Sequence, residues 1–382
     1  MRLSSVPTPQ VVVFARRLEA NIARMQAEVA GGGKRLRPHA KTHKSPAIAR
    51  AQIARGAVGI CCAKLGEAEV FADAGIGDIR LPYPINPANA PRVLALLEKA
   101  AISIIVDHAG VASEWSRRMV EAGRTLDVLV KVDVGFHRCG IDPASPDAVS
   151  FVERVAALPG LRFRGLLSHA GHGYHAASEA DLEAVAATEA TVMTGLADAV
   201  RRRGVAVDEV SVGATPTARY SARLPGITEM RPGNYVYFDR TQVGLGAASV
   251  ADCALFVAAT VVSTPAPDRV ILDCGSKTLS SDQARGFGAA PGHGLVFRGG
   301  GGEPDPSLVI ERLSEEHATV RVIAAGPTAD AAAGRPPLQP GNRVLVLPNH
   351  SCVVSNLVDE VLLVDGEQVV ERLPVAARGK IQ

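Results

Sequence analysis

Between about residues 35 and 240, short apolar runs alternate with longer amphipathic segments, and this alternation leaves the chain few architectures. The runs are His39 to Lys41, Ala57 to Cys62, Asp78 to Leu81, Ile102 to Asp107, Asp127 to Val134, Gly165 to His169, Glu209 to Gly213 and Tyr235 to Asp239. Most of the segments between them, such as Pro46 to Arg55, Leu65 to Ala74, Ala88 to Lys99 and Asp181 to Arg203, have helical spacing and length. Eight strand-helix repeats of this size predict a (β/α)8 TIM-type barrel rather than an open sheet. After Gly246 the texture changes. Ala254 to Ser263, Arg269 to Asp273, Ala318 to Ala324, Arg343 to Leu347 and Glu360 to Val364 are Val/Leu-rich runs separated by Pro, Gly and Asp turns. The division expected is a barrel over 1–246, whose first residues can instead pair with the β domain, and a C-terminal β domain over 247–382. The glycine run Gly299 to Gly302 reads as an exposed loop, because no helix follows it to make a phosphate cradle.

Composition narrows the partner. The 41 basic residues nearly balance 39 acidic ones, and no basic block is interleaved with aromatics, so a small molecule is expected rather than nucleic acid. Six cysteines lie scattered without a disulfide-scaffold spacing, which suits reduced thiols in a cytoplasmic protein. No apolar run approaches the roughly 20 residues of a membrane span, so no membrane partner is expected.

In such a barrel the site lies at the C-terminal ends of the strands. Lys41 ends the first predicted strand within Arg37-Pro38-His39-Ala40-Lys41-Thr42-His43-Lys44, a place where a Schiff-base cofactor would be anchored. Desolvation or nearby cations make a lysine amine nucleophilic, and His39, His43, Lys44 and Arg37 crowd this one. The same eight residues also read as an ordinary basic turn. Arg138 follows the fifth strand, and His169, His172, Tyr174 and His175 follow the sixth. Three histidines in seven residues point to proton chemistry, although surface loops carry such clusters too.

Ser211-Val212-Gly213-Ala214-Thr215-Pro216-Thr217 and Arg231-Pro232-Gly233-Asn234-Tyr235 offer glycine turns and hydroxyls after the seventh strand and beside the eighth. Phosphate commonly binds there in TIM-type barrels; plain barrel corners are the alternative. In the second domain, Leu347-Pro348-Asn349-His350-Ser351-Cys352 sets an imidazole and a thiol two apart, on one side of an extended segment. The pair can ligate a divalent cation or simply pack.

Taken together, these motifs resemble the D-threonine aldolase and D-serine dehydratase family of alanine-racemase-like, fold-type III pyridoxal-phosphate enzymes. The matching stretches include Thr8-Pro9-Gln10-Val11, Arg37 to Lys44, Gly59-Ile60-Cys61-Cys62-Ala63-Lys64, Val132 to Gly140, Pro348 to Cys352 and Ala377-Arg378-Gly379. The resemblance implies that Lys41 carries pyridoxal 5'-phosphate. It also implies that the turns at Gly213, Thr215, Gly233, Asn234 and Tyr235 hold its phosphate, and that Arg138, His39 and Tyr174 line it. His350 and Cys352 match the family's metal pair, for zinc, manganese or magnesium, and a homodimer is the usual assembly. His175 matches the base of the aldolases, with His172 and His169 as neighbouring candidates.

The implied reaction is retro-aldol cleavage of a D-β-hydroxy amino acid to glycine and an aldehyde. Aldolases of the family read Tyr-His-Gly-Ser at the sixth strand and His-x-Asp at the metal. This chain reads His169-Ala170-Gly171-His172 and His350-Ser351-Cys352, as the dehydratase branch does. His175, the length and the C-terminal ending resemble the aldolases. D-serine dehydration to pyruvate and ammonia is therefore the alternative. A non-catalytic pyridoxal-phosphate-binding protein is a third reading, and it would lack the second domain with its metal motif.

Overall fold

The structure, a computed structural model, describes residues 1–288, 291–299, 302–323 and 337–382. The chain folds as two compact units. One comprises Ile22–Gly233 with Gly379–Gln382, the other Met1–Asn21 with Asn234–Arg378.

The first unit is the predicted barrel. Its strands are Arg35–Leu36, Ile60–Cys61, Asp78–Pro84, Ala101–Val106, Leu126–Lys131, Leu161–Leu167, Glu209–Val212 and Glu229–Met230, all parallel and each beside its neighbour in sequence. The first strand pairs with the eighth, Arg35 opposite Glu229 and Leu36 opposite Met230. Cys61 N donating to Pro38 O (2.8 Å) and a bridge between His39 and Cys61 join the first stretch to the second strand and close the ring. Helices cross between the strands. The longest, Glu179–Arg202, starts where the Ser178 side chain accepts from Asp181 N, carries Glu179 and Asp181 in its first turn, and ends on Arg201 and Arg202. Leu182, Ala186, Ala190, Met193, Ala197 and Val200 form its buried stripe, at the three- and four-residue spacing of one helix face.

Two barrel strands lie elsewhere than predicted. Lys41 does not end a buried strand: the first strand is Arg35–Leu36, and Lys41 is exposed in a 3-10 turn, Ala40–Thr42. Pro38 has no N–H to extend the ladder, and His39 caps the turn by accepting from Lys41 N. Tyr235 to Asp239 is not the eighth strand. Tyr237 N and Phe238 N both donate to Asn234 O, making a local turn, and Asp239 caps the helix Arg240–Gly244.

The barrel interior is not wholly apolar. Glu229, fully buried, accepts from Arg37 Nε (2.8 Å) and Ser211 Oγ (2.6 Å) and pairs closely with Arg80. Arg80 also reaches Glu209 (2.8 Å) and Ser103 Oγ (2.9 Å), and Arg37 grips Asp78 (2.6 Å). Charges buried in this way persist because each is paired and hydrogen-bonded.

The second unit is a β domain. Its nine-stranded sheet, among the described residues, runs Leu308–Leu313, Ala318–Val322, Arg269–Leu272, Leu255–Ala266, Gln10–Phe14, Glu360–Asp365, Gln368–Pro374, with Arg343–Leu347 pairing Leu255–Ala266 and Leu295–Arg298. Gln10–Phe14, among the first residues given the option of pairing with the β domain, sits centrally in its sheet, antiparallel to Leu255–Ala266 and parallel to Glu360–Asp365. The strands Leu295–Arg298, Leu308–Leu313 and Gln368–Pro374 were not predicted; Glu311 and Arg312 break the apolar pattern of the second, and Glu371 and Arg372 that of the third. Gly300 and Gly301 of the predicted glycine loop, and Ala324 of one predicted strand, lie outside the described residues. Among the described residues no helix is long and apolar enough to cross a membrane.

Removing one partner of a buried ion pair strands the other, so Glu229→Ala should lower the unfolding free energy by about 3–5 kcal/mol. Urea denaturation of the variant and the parent at neutral pH measures this, and an unchanged midpoint would contradict the role given to Glu229.

Candidate active site

The turn carrying Lys41 is seated by glycine. A Cβ at Gly233 would come 3.0 Å from His39 O and 3.1 Å from Thr42 Oγ1, a tight approach that glycine eases, so the turn after the eighth strand lies close against the turn that bears the lysine. A Cβ at Gly213 would meet Arg231 N at 2.8 Å. Of the cations expected around Lys41 from sequence, three are spent elsewhere and His39 alone stays beside it. Arg37 is buried on Glu229 and Asp78, and Lys44 pairs with Glu67 at 3.0 Å. His43 is buried edge-on to Phe71, and burial pushes its imidazole down to about 4.

Tertiary structure brings a different set together. His39, half-buried and close to Lys41, Arg231, His169 and Arg138, is held well below the usual histidine range, by desolvation first and then by these neighbours. His169 is likewise held low by burial and by Lys41 and Lys131. Its Nδ1 lies 2.7 Å from Gly213 O, and because a carbonyl only accepts, the proton sits on Nδ1. His169 packs edge-on against Phe136 (5.8 Å), and the Arg138 guanidinium lies over the same ring (5.2 Å). The loop carrying Arg138 is stiffened by Asp133, which accepts from Gly135 N and His137 N, both at 3.0 Å.

Two basic residues missed in the sequence complete the group. Arg231, buried, donates to Ser211 Oγ (2.6 Å) and to Ser168 O. Lys131, at the end of the fifth strand, is buried, and desolvation pushes its amine down to about 7, with Arg231 adding to the shift. Each ends or follows a barrel strand, the one sequence signal that could have found them.

The other histidines separate. His172 and His175 share the 3-10 turn Gly171–His175; His172 is half-buried near Asp133, His137 and His175, and His175 is exposed. Tyr174, in the same turn, is half-buried. Thr215 is buried in the Gly213–Thr217 turn, where Ala218 N donates to its carbonyl.

In the second unit, His350 is not on an extended segment with Cys352. It is the N-cap of the helix Ser351–Asn356, and Cys352 lies in the first turn. The two side chains still meet, because imidazole and thiol hydrogen-bond to each other. His350 Nδ1 lies 2.5 Å from Asp282 Oδ2, and despite opposing burial the bonds to Cys352 and Asp282 and the charge of Asp239 raise its imidazole to about 10. Asn234, predicted to hold phosphate, directs Nδ2 to Asp239 (2.6 Å), Ser351 Oγ (3.1 Å) and Cys352 Sγ (3.5 Å). Tyr235 is fully buried in the 3-10 turn Asn234–Val236. No group of three or more ligating side chains occurs among the described residues, so His350 and Cys352 form a two-residue pair.

Residues 14–241 match the family described as "Alanine racemase, N-terminal domain", and residues 254–364 the one described as "Putative serine dehydratase domain". The chain belongs to the alanine-racemase-like, fold-type III family of pyridoxal-phosphate enzymes. It is 36% identical to a D-threonine aldolase of Arthrobacter sp. over 99% of this chain and 94% of that one. It is 35% identical to a D-threo-3-hydroxyaspartate dehydratase of Delftia sp. over 92% of each. Among solved structures, a D-threo-3-hydroxyaspartate dehydratase with a cysteine changed to alanine, in the metal-free form, superposes with a TM-score of 0.90 at 32% identity, covering 98% of both chains.

The family's cofactor fits the barrel residues. Lys41, Arg138, Arg231 and Lys131 set a surplus of positive charge against Glu189, whose carboxyl is pushed up by burial, and that surplus suits an anionic phosphate ester. A borderline imidazole beside a soft thiol likewise fits a divalent cation.

Lys131 also makes a stability prediction. Its folded-state pKa lies near 7, below the ordinary 10.5, so between those values the unfolded chain binds the extra proton and stability rises with pH. The urea midpoint should climb less steeply from pH 7 to 9 in Lys131→Met than in the parent; parallel curves would contradict this.

Proposed function

We propose that this protein is a pyridoxal-phosphate- and divalent-cation-dependent lyase that cleaves D-β-hydroxy amino acids of the D-threonine type to glycine and an aldehyde. The observation that carries the reading is the 36% identity to a D-threonine aldolase along 99% of the chain, together with the Lys41, His39, His169, Arg138 and Arg231 cluster. Pyridoxal phosphate, when bound, supplies an electron sink that weakens the bonds at the substrate Cα. Lys41 would hold it, with the Gly213–Thr217 turn and Gly233 toward its phosphate and Arg138 and Tyr174 along its ring.

In this reading His39 and His169, kept neutral, do not add charge beside Lys41, and His169 offers Nε2 while Nδ1 is tied to Gly213. His175 takes the proton from the substrate hydroxyl, with His172 as its neighbour; an exposed imidazole can pass that proton on to solvent. A cation held by His350 and Cys352 supplies Lewis-acid polarisation of a hydroxyl oxygen. Zinc or manganese suits this donor pair better than magnesium. A cytoplasmic homodimer completes the reading; the family resemblance supports the assembly, and six free cysteines support the reducing compartment.

Dehydration is the second reading, favoured by the His350-Ser351-Cys352 spacing and by the 35% identity to a dehydratase. Both readings use Lys41 and the cation pair, and they differ in products.

Purified protein should be yellow, and borohydride reduction followed by peptide mapping should mark Lys41. A label on Lys44, Lys64 or Lys131 would overturn the site assignment. D-threonine should give acetaldehyde and glycine, L-threonine neither, with His175→Ala slowing turnover roughly 100-fold or more and chelation silencing it while the colour stays. Pyruvate and ammonia from D-serine, without aldehyde from D-threonine, would move the protein to dehydration.

A further inference from the structure

We propose that Asp282 is the positioning residue of the cation pair. By accepting the Nδ1 proton of His350, it fixes the tautomer and ring orientation that leave the Nε2 lone pair available beside Cys352 Sγ. This rests on the reading of His350 and Cys352 as cation ligands.

An imidazole has two nitrogens, and a neutral ring can ligate only through the one without the proton. Asp282 Oδ2 lies 2.5 Å from Nδ1, and a carboxylate so close selects the tautomer with hydrogen there. Side chains of His350 and Asp282 are only half-buried, with exposures of 40% and 43%, so a surface ion pair alone would hold them weakly. The backbone supplies the rest of the order. Asn349 Nδ2 donates to Asp282 O (2.9 Å) and to Gly292 O (2.9 Å), and Asp282 N donates to Ser280 Oγ (3.3 Å). The segment around Asp282 is thus tied to the residue just before His350 by its carbonyl and to His350 itself by its carboxylate. Such a two-point clamp sets the angle of the ring as well as the site of the proton.

The other nearby carboxylate cannot play this part. Asp239 is fully buried and accepts from Ser351 N (2.9 Å), Ser351 Oγ (3.2 Å), Asn234 Nδ2 (2.6 Å) and Gln242 N (3.0 Å). Its acceptor sites are occupied in holding the first turn of the helix that carries Cys352. The two aspartates divide the work: Asp239 sets the backbone under the thiol, and Asp282 sets the imidazole. Carboxylate partners of metal-bound histidines typically contribute 10–100-fold in metal affinity.

The test is zinc affinity of the pyridoxal-phosphate-loaded protein, measured by competition with a chromophoric chelator. Parent, Asp282→Ala, Asp282→Asn and His350→Ala are compared, with thermal unfolding and visible absorbance checking that each variant is folded and loaded. Asp282→Ala should bind zinc about 10–100-fold more weakly. Asp282→Asn, whose amide oxygen can still accept from Nδ1, should recover part of that loss. His350→Ala should abolish binding at this site. If His350→Ala binds zinc as the parent does, the cation reading itself fails. If His350→Ala loses zinc while Asp282→Ala matches the parent, or Asp282→Asn is no better than Asp282→Ala, only the role of Asp282 is overturned.

Discussion

The barrel is organised around one buried carboxylate. Glu229, at the eighth strand, takes Arg37 from the first stretch, Arg80 from the third strand and Ser211 from the seventh. Four parts of the ring are thereby tied at a single group. A carboxylate this deeply buried would be costly alone, and two guanidiniums hold it charged and well below the usual carboxylate range. The polar connection continues toward the site, because Ser211 Oγ also accepts from Arg231, and Arg231 reaches the Ser168 carbonyl next to His169. Arg37 does not lend its charge to Lys41. It anchors the stretch from which the Lys41 turn departs.

The same scarcity of water sets the protonation states above it. Burial and mutual repulsion among cations keep His39 and His169 neutral and push Lys131 toward neutrality. A site that concentrates positive charge in this way is poised for an anion. Close approach requires glycine at 213, where a Cβ would strike the backbone of Arg231, and it favours glycine at 233, which lies tight against His39. In the second unit the opposite holds: against the cost of burial, Cys352 first and then Asp239 and Asp282 favour the charged form of His350 and raise its imidazole to about 10. The two units therefore carry electrostatic environments of opposite sign, one suited to a phosphate ester and one to a cation.

Much was legible in the chain. Repeated alternation of apolar runs and amphipathic segments pointed to a (β/α)8 barrel, since eight such units of this size suit a closed ring better than an open sheet, and the change of texture after Gly246 announced a β domain. The motifs around Lys41, Arg138, His169 and His350-Ser351-Cys352 determined the family, because each is local and its residues stay adjacent in any fold. Where local pattern misled, a long-range interaction won. Tyr235 to Asp239 is apolar like a buried strand but turns on Asn234 O, and Glu229–Met230 takes the place in the ring, where Glu229 pairs with Arg37 and Arg80. Only the tertiary structure decided which cations surround Lys41, which of three histidines joins it, and that Asp282, 68 residues away, meets His350. Such pairings depend on burial and on contacts between distant segments, and sequence spacing carries no trace of either.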